Sequence, residues 1–326
     1  MSAAEAAGHE LGGGWTGAAR AGGGGLRHRL RGMDLRDDPT EGLSDEQLDL
    51  AYNVRRKAGP ERFAALMKRY RADSDAAVDG LPGTRDIPYD ERGGERLDVW
   101  GTEDGEIRPV FVFLHGGYWM AGAKEDTAFM ARMLHGQGIA TVVPDYTLTP
   151  KATVEEIVRQ VRAAVAWVWH HGLEHGLDPQ RIVVGGSSAG GHLTGMTMVE
   201  GWQEELGLPA DVVRAAMPFS GLFDLRPIPR LYVNETARLD QESAVRLSPA
   251  FQPMERRFPA VFAVGEDDGE GFVEQSRRFQ PHWGDGELLV VPGRDHFDVI
   301  LDLQDPDTQV SRALLGLFAT LREDLT

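Results

Sequence analysis

Arg181-Ile182-Val183-Val184-Gly185-Gly186-Ser187-Ser188-Ala189-Gly190-Gly191-His192-Leu193 is the stretch whose reading decides the fold. The β-branched run Ile182 to Val184 is short and continuously apolar, which suits a strand buried on both faces. Leu193 and Met196 open a helical run, and Gly186-Ser187-Ser188-Ala189-Gly190 between the two matches G-x-S-x-G. A serine at the tip of such a turn takes a strained backbone conformation, and small neighbours are required because side chains would strike the adjoining strand and helix. Gly186 and Gly190 flank Ser188 symmetrically, whereas Ser187 lacks that flanking. Ser188 also stands at the start of the helix, where unpaired N–H groups and the helix dipole favour developing negative charge. It is the candidate nucleophile.

Outward from this turn, strand-like and helical runs alternate from Gly83 onward. Half-buried strands are expected at Arg85 to Tyr89 and Glu95 to Trp100, with Pro88 confining the first to an edge. Continuous apolar runs follow at Val110 to Leu114, Ile139 to Val143, Arg181 to Val184, Val212 to Phe219, Ala260 to Val264 and Leu288 to Val291. Val154, Ile157, Val158, Val161, Val165 and Val168 recur at helical spacing and predict an amphipathic helix. The pattern predicts an α/β fold of the α/β-hydrolase type: a mostly parallel, doubly wound, eight-stranded sheet with helices on both faces. This catalytic domain is expected over 83–326, with the proline-rich segment 222–254 as an insertion over the active site. Residues 33–82 read as an N-terminal helical segment, opened by a capping box at Ser44 and Gln47. Residues 1–32, rich in Gly and Arg, cannot bury enough apolar surface to offset ordering entropy and are expected to be disordered.

The other partners of Ser188 are expected at the carboxyl ends of neighbouring strands. His115-Gly116-Gly117-Tyr118-Trp119 follows the strand ending at Leu114, and its glycines let backbone N–H groups approach a reacting oxygen closely. Gly116 and Gly117, with the N–H of Ala189, are the expected oxyanion donors. Tyr118 and Trp119 are candidate substrate-binding walls, with packing beneath the loop as the alternative, and His115 reads as a structural hydrogen-bonding residue. In this topology the order is nucleophile, acid, base, so His296, in the loop after the last strand, is the candidate base. The acid follows the strand Ala260 to Val264, where Asp268 is preferred over Asp267, and Asp224 after the preceding strand is a third choice. His192 is read as a packing residue, and His135 and His282 as exposed helical ones.

Composition narrows the function classes. A net charge of −17 leaves no overall basic field for a phosphate backbone, so no nucleic-acid partner is expected. The chain has no cysteine, which removes disulfides, thiolate nucleophiles and cysteine-zinc sites and suits a cytoplasmic protein. No apolar run nears the roughly 20 residues of a membrane span, so no membrane partner is expected. His171 and His175 lie four apart at a helix end with no carboxylate completing H-E-x-x-H, so neither a metal nor an organic cofactor is expected. A small-molecule ester or formamide substrate and a homodimer complete these expectations.

His115-Gly116-Gly117-Tyr118-Trp119, Ala189-Gly190-Gly191-His192-Leu193 behind Ser188, and Asp295-His296-Phe297-Asp298 together resemble the arylformamidase (kynurenine formamidase) branch of the α/β-hydrolases. The likeness runs from about Ala51 to the C-terminus, and Pro144-Asp145-Tyr146-Thr147-Leu148-Thr149-Pro150 is similar to a segment of the neighbouring hormone-sensitive-lipase-like esterases. The resemblance implies Ser188, Asp268 and His296 as nucleophile, acid and base, Gly271-Phe272 also fitting the pattern. It implies a serine hydrolase that cleaves an N-formyl arylamine of the N-formylkynurenine type to arylamine and formate. Ser187 stands where arylformamidases usually carry His and the lipase-like esterases Asp, so a carboxylesterase for short acyl esters is the alternative.

Overall fold

Ser44 Oγ accepts the Gln47 N–H at 3.2 Å and Gln47 Oε1 accepts the Ser44 N–H at 2.9 Å, so the expected capping box starts helix α1 (Asp45–Tyr52). Helices α2 (Val54–Ala58) and α3 (Pro60–Val78) follow, joined by Gly59 at φ +79°, with Pro60 in the first turn of α3 where its missing N–H costs nothing. The structure is a computed structural model that describes residues 37–323. The Gly- and Arg-rich stretch 1–32 falls outside the described residues.

One sheet organises the remainder. Its strands are β1 (Gly83–Pro88), β2 (Arg96–Trp100), β3 (Arg108–Leu114), β4 (Ala140–Pro144), β5 (Leu177–Ser187), β6 (Ala215–Phe219), β7 (Ala260–Gly265) and β8 (Gly286–Val291). They form an eight-stranded sheet in the order β1-β2-β4-β3-β5-β6-β7-β8, antiparallel from β1 to β2 and from β2 to β4 and parallel elsewhere. The expected mostly parallel, eight-stranded class is therefore what the chain adopts, with Pro88 on the edge strand.

Strand β3 shows how the layers are built. It is buried along its whole length, and alternate side chains enter opposite apolar layers. Val110, Val112 and Leu114 join the layer containing α5 (Val154–His171), through Ile157, Val161 and Val165. Phe111 and Phe113 join the other, with Leu66 and Tyr70 of α3, Met133 of α4 (Ala131–Gly136), and Leu314 and Phe318 of the last helix (Gln309–Glu323). Burying each such side chain contributes roughly 1.5–3 kcal/mol relative to exposure.

Two strand starts lie three or more residues from the sequence reading, and the other starts lie within two. Strand β6 begins at Ala215 rather than Val212, because the Val212 N–H turns back to the Pro209 carbonyl at 3.1 Å while Val212 and Val213 stay buried. Burial alone makes an apolar run look like strand. Strand β5 starts at Leu177, earlier than Arg181, pairing with Arg108 of β3 across a register shift. The segment 222–254 carries only the short helices α7 (Asn234–Ala237) and α8 (Gln241–Arg246) and single turns. Its Thr236 hydroxyl meets that of Thr149 at 3.1 Å.

Register fixes what comes together. Leu114 pairs with Gly186, Ser187 with Phe219, Phe219 with Ala263, and Gly265 with Val291. The carboxyl ends of β3, β5, β6, β7 and β8 thus lie along one edge, and the segments leaving them carry His115, Ser188, Ser220, Asp268 and His296.

Candidate active site

The turn from β5 into α6 (Ala189–Met198) holds Ser188 at φ 58° and ψ −114°, a conformation costly for a residue with a Cβ. The strain is held by hydrogen bonds on both sides: Ser188 N–H donates to the Phe219 carbonyl at 2.8 Å, and the Ser188 carbonyl accepts from His192 at 3.0 Å. Gly190 is required sterically, since a Cβ there would stand 2.0 Å from the Leu114 carbonyl oxygen. Both Ser187 and Ser188 touch the adjoining cavity, but it is Ser188 that occupies the strained tip.

The loop after β3 is folded against that tip. A Cβ on Gly116 would come within 2.8 Å of the Ser187 carbonyl oxygen and 3.3 Å of Ser188 Cβ, so glycine permits the approach. Gly117, at φ +109°, accepts from Met120 and Ala121 N–H at 3.0 and 3.1 Å and closes the loop into a turn. Among the described residues no acceptor is paired with the Gly117 or Ala189 N–H. Tyr118 lines the cavity, and its hydroxyl donates to the Tyr52 carbonyl at 2.7 Å.

Trp119 corrects the expectation of an aromatic cavity wall. It is fully buried and is not among the cavity-lining residues; its indole N–H donates to His192 Nδ1 at 3.2 Å. His192 Nε2 then donates to the Leu247 carbonyl at 2.8 Å, which fixes its tautomer. Trp119 and His192 therefore tie the loop after β3 to α6 and to the 222–254 segment. Tyr118 and Trp119 both stand at positive φ, and of the two only Tyr118 lines the cavity.

His115 lies beneath the loop, as read from the sequence. Its ring stacks on Tyr146 at 4.0 Å and Nδ1 is 2.9 Å from the Gly116 carbonyl oxygen. Burial pushes the pKa values of both His115 and His192 down to about 4, so each is neutral near pH 7. Burial also pushes Asp145, next to His115, up to about 6. His135 is half-buried, its Nδ1 2.8 Å from an Arg108 guanidinium nitrogen, in place of the exposed position expected.

His296 and Asp268 meet. His296 Nδ1 is 2.8 Å from Asp268 Oδ1, and Asp268 is fully buried. Oδ1 also accepts the Gly269 N–H at 2.5 Å, and Oδ2 accepts the Ser220 hydroxyl at 2.5 Å. Asp267 is exposed, and Asp224 is engaged by Arg226 at 2.7 Å, so neither reaches His296. Ser220 was not singled out from the sequence, although its place directly after β6, on the edge shared by the other four segments, is a usable signal.

The N-terminal helices grip both loops. Lys57 Nζ donates to the carbonyls of Asp267 and Asp268, each at 2.7 Å. Arg62 bridges Asp295 and Asp298, at 2.7 and 2.9 Å, on either side of His296-Phe297, and the Tyr70 hydroxyl donates to the Phe297 carbonyl. Burial acts to raise the pKa of Asp295, but Arg62 and two backbone N–H groups hold it below its ordinary value. No linear spacing announces these contacts, which join residues more than two hundred positions apart.

A cavity of about 970 Å³, its open mouth included, receives Ser188, His296, Gly116 and Gly117 on its wall. Phe63, Met67, Phe113, Tyr118, Phe297 and Ile300 make most of the remainder apolar. Among the described residues no cluster of His, Asp and Glu is arranged to hold a metal, and no helix is long and apolar enough to cross a membrane.

Comparison with known proteins agrees with this architecture. The family profile described as BD-FAE matches residues 97–278. Kynurenine formamidase of Salmo salar is 32% identical over 242 residues, covering 71% of this chain and 80% of that protein. Esterase LipQ of Mycobacterium tuberculosis is 29% identical over 217 residues, covering 60% of this chain and 51% of that one. A solved structure from a Silicibacter species superposes with a TM-score of 0.72 at 29% identity, covering 82% of this chain and 98% of its own. The chain belongs to the BD-FAE family, as an arylformamidase-like α/β-hydrolase close to the esterases, and is a serine hydrolase.

Proposed function

We propose that the protein hydrolyses an N-formyl arylamine, of the N-formylkynurenine type, through Ser188, His296 and Asp268. One observation carries the reading: the buried Asp268 carboxylate bonds His296 at 2.8 Å, and His296 shares a cavity with a strained Ser188 under a glycine loop. His296 takes the Ser188 proton as Oγ bonds to the formyl carbon, and the carbonyl π electrons move onto oxygen. The Gly116, Gly117 and Ala189 N–H groups receive that oxyanion, where one well-aimed donor can be worth roughly 3–4 kcal/mol. Collapse breaks the C–N bond, and His296 returns the proton to the departing arylamine. Water, deprotonated by His296, then attacks the formyl ester of Ser188; the Oγ–C bond breaks, His296 returns the proton to Oγ, and formate leaves. Asp268 keeps the imidazole in the productive tautomer, and the hydrogen bonds from Ser220 and Gly269 keep the Asp268 side chain oriented. No cofactor, metal or nucleic acid is required, and the substrate is a small molecule.

A carboxylesterase for short acyl esters is the second reading, favoured by the esterase named among the relatives. The catalytic groups are common to both. A formamidase needs little acyl space and a broad aromatic leaving-group site, which suits the cavity lined by Phe63, Tyr118 and Phe297. Purified protein is expected to release formate from N-formylkynurenine with a kcat/KM above that for p-nitrophenyl acetate, and Ser188→Ala is expected to lose both activities and fluorophosphonate labelling. Turnover of the ester with N-formylkynurenine left intact would transfer the assignment to the esterase.

A further inference from the structure

Most charges on the cavity wall are neutralised. Asp126 pairs with Arg71 at 3.0 Å, and His296 rests on Asp268 at 2.8 Å. His115 is buried and neutral near pH 7. Arg55 differs. It lines the same cavity, and among the described residues no carboxylate pairs with it; its guanidinium lies 4.7 Å above the centre of the Phe63 ring. Its neighbours are committed, Arg56 to Asp49 at 2.7 Å and Arg62 to Asp295 at 2.7 Å, while Lys57 holds backbone carbonyls. In a chain with 51 acidic residues against 34 basic ones, a cavity guanidinium left without a carboxylate is an available anion partner.

Its position fits a substrate whose reacting carbon lies at Ser188. Phe63 packs edge-on against Phe297 with ring centres 5.4 Å apart, and Phe297 lies 5.2 Å from the His296 ring. The guanidinium is thus linked to the imidazole through two intervening rings on the wall of the same cavity. Tyr232 lines the same cavity, and its phenol is pushed up by burial, with the nearby Arg55 charge acting in the opposite sense. Stacking on Phe63 orients the guanidinium while leaving its N–H fork open, the arrangement that recognises a carboxylate through paired hydrogen bonds.

We propose that Arg55 is a specificity-determining residue that binds a carboxylate on the arylamine half of the substrate, so that anionic arylformamides are selected over neutral ones. The proposal rests on the formamidase reading in one respect: a formyl group has no substituent to carry the charge, so the anion must belong to the leaving amine. Met67, Phe63 and Tyr118, on the wall of the same cavity, offer that ring apolar contact.

Two matched substrate pairs test it: formanilide against its 2-(2-carboxyethyl) derivative, and phenyl acetate against 3-(2-acetoxyphenyl)propanoate. At low ionic strength the unaltered protein is expected to favour the charged member of each pair by about tenfold or more in kcat/KM. Arg55→Gln is expected to bring that ratio close to one, through a raised KM for the charged member, and Arg55→Lys to keep part of it. Added salt should erode the preference in the unaltered protein and leave the ratio of Arg55→Gln unmoved. A ratio that survives Arg55→Gln, or no preference in the unaltered protein, would overturn the proposal. Discrimination within the ester pair without turnover of either formamide would support the Arg55 subsite and remove the formamidase reading instead.

Discussion

The nucleophile and its glycine loop are held by backbone sterics, whereas the acid and base are held by side chains reaching in from the N-terminal helices. At the β5–α6 turn, Gly190 leaves no room for a methyl group against Leu114, and Gly116 sits too close to the Ser187 carbonyl to carry a side chain. At the other side, Asp268 and His296 stand on loops whose carbonyls and flanking carboxylates are fastened by Lys57, Arg62 and Tyr70. The first region has one geometry or none. The second can loosen by degrees, because exposed ion pairs and single hydrogen bonds each contribute about 1 kcal/mol or less.

That difference can be broken on purpose. Gly190→Ala should give the largest effect: with the new Cβ 2.0 Å from a backbone oxygen, strand and helix must separate. A stability loss of about 3 kcal/mol or more is expected, measured as a fall in the urea midpoint or as insoluble expression. A variant as stable as the parent would show that the turn relaxes more easily than its geometry implies.

Next in size is the acid. Asp268→Asn is expected to lower kcat by about 10⁴-fold with little change in KM, because the amide favours the wrong imidazole tautomer. Asp267→Asn, on an exposed side chain beside it, should stay within a few-fold of the parent. Equal losses in the two would argue that the loop, not the carboxylate at 268, carries the effect.

The smallest effect sharpens the comparison most. Arg62→Ala should cost about 1 kcal/mol of stability or less, since half of the Arg62 side chain is open to solvent. Its kcat is nevertheless expected to fall about three- to thirtyfold at nearly constant KM, as the His296 loop gains freedom, with partial recovery in Arg62→Lys. A parallel rise in KM would instead point to damage of the cavity wall.

Legibility in the sequence followed the same division. The apolar runs announced their strands because both faces of β3 and its neighbours are buried, and G-x-S-x-G announced its turn because only small residues survive there. Boundaries slipped where burial and pairing parted, as at Val212 and Val213. Trp119 misled for a related reason: an aromatic residue beside a glycine loop can face the cavity or the core, and only its bond to His192 decides. Ser220, Lys57 and Arg62 belong to no local motif.

Taken alone, the sequence was enough for the order of elements, the parallel sheet and the strained serine, since these depend on periodicity and on steric exclusion between residues close along the chain. Which carboxylate meets His296, which aromatic ring faces the cavity, and which cations clasp the two loops or stand free at the mouth were settled by tertiary contact alone. Register between distant strands and the docking of the N-terminal helices bring those groups together, and interactions a few ångströms long cannot be read from positions hundreds of residues apart.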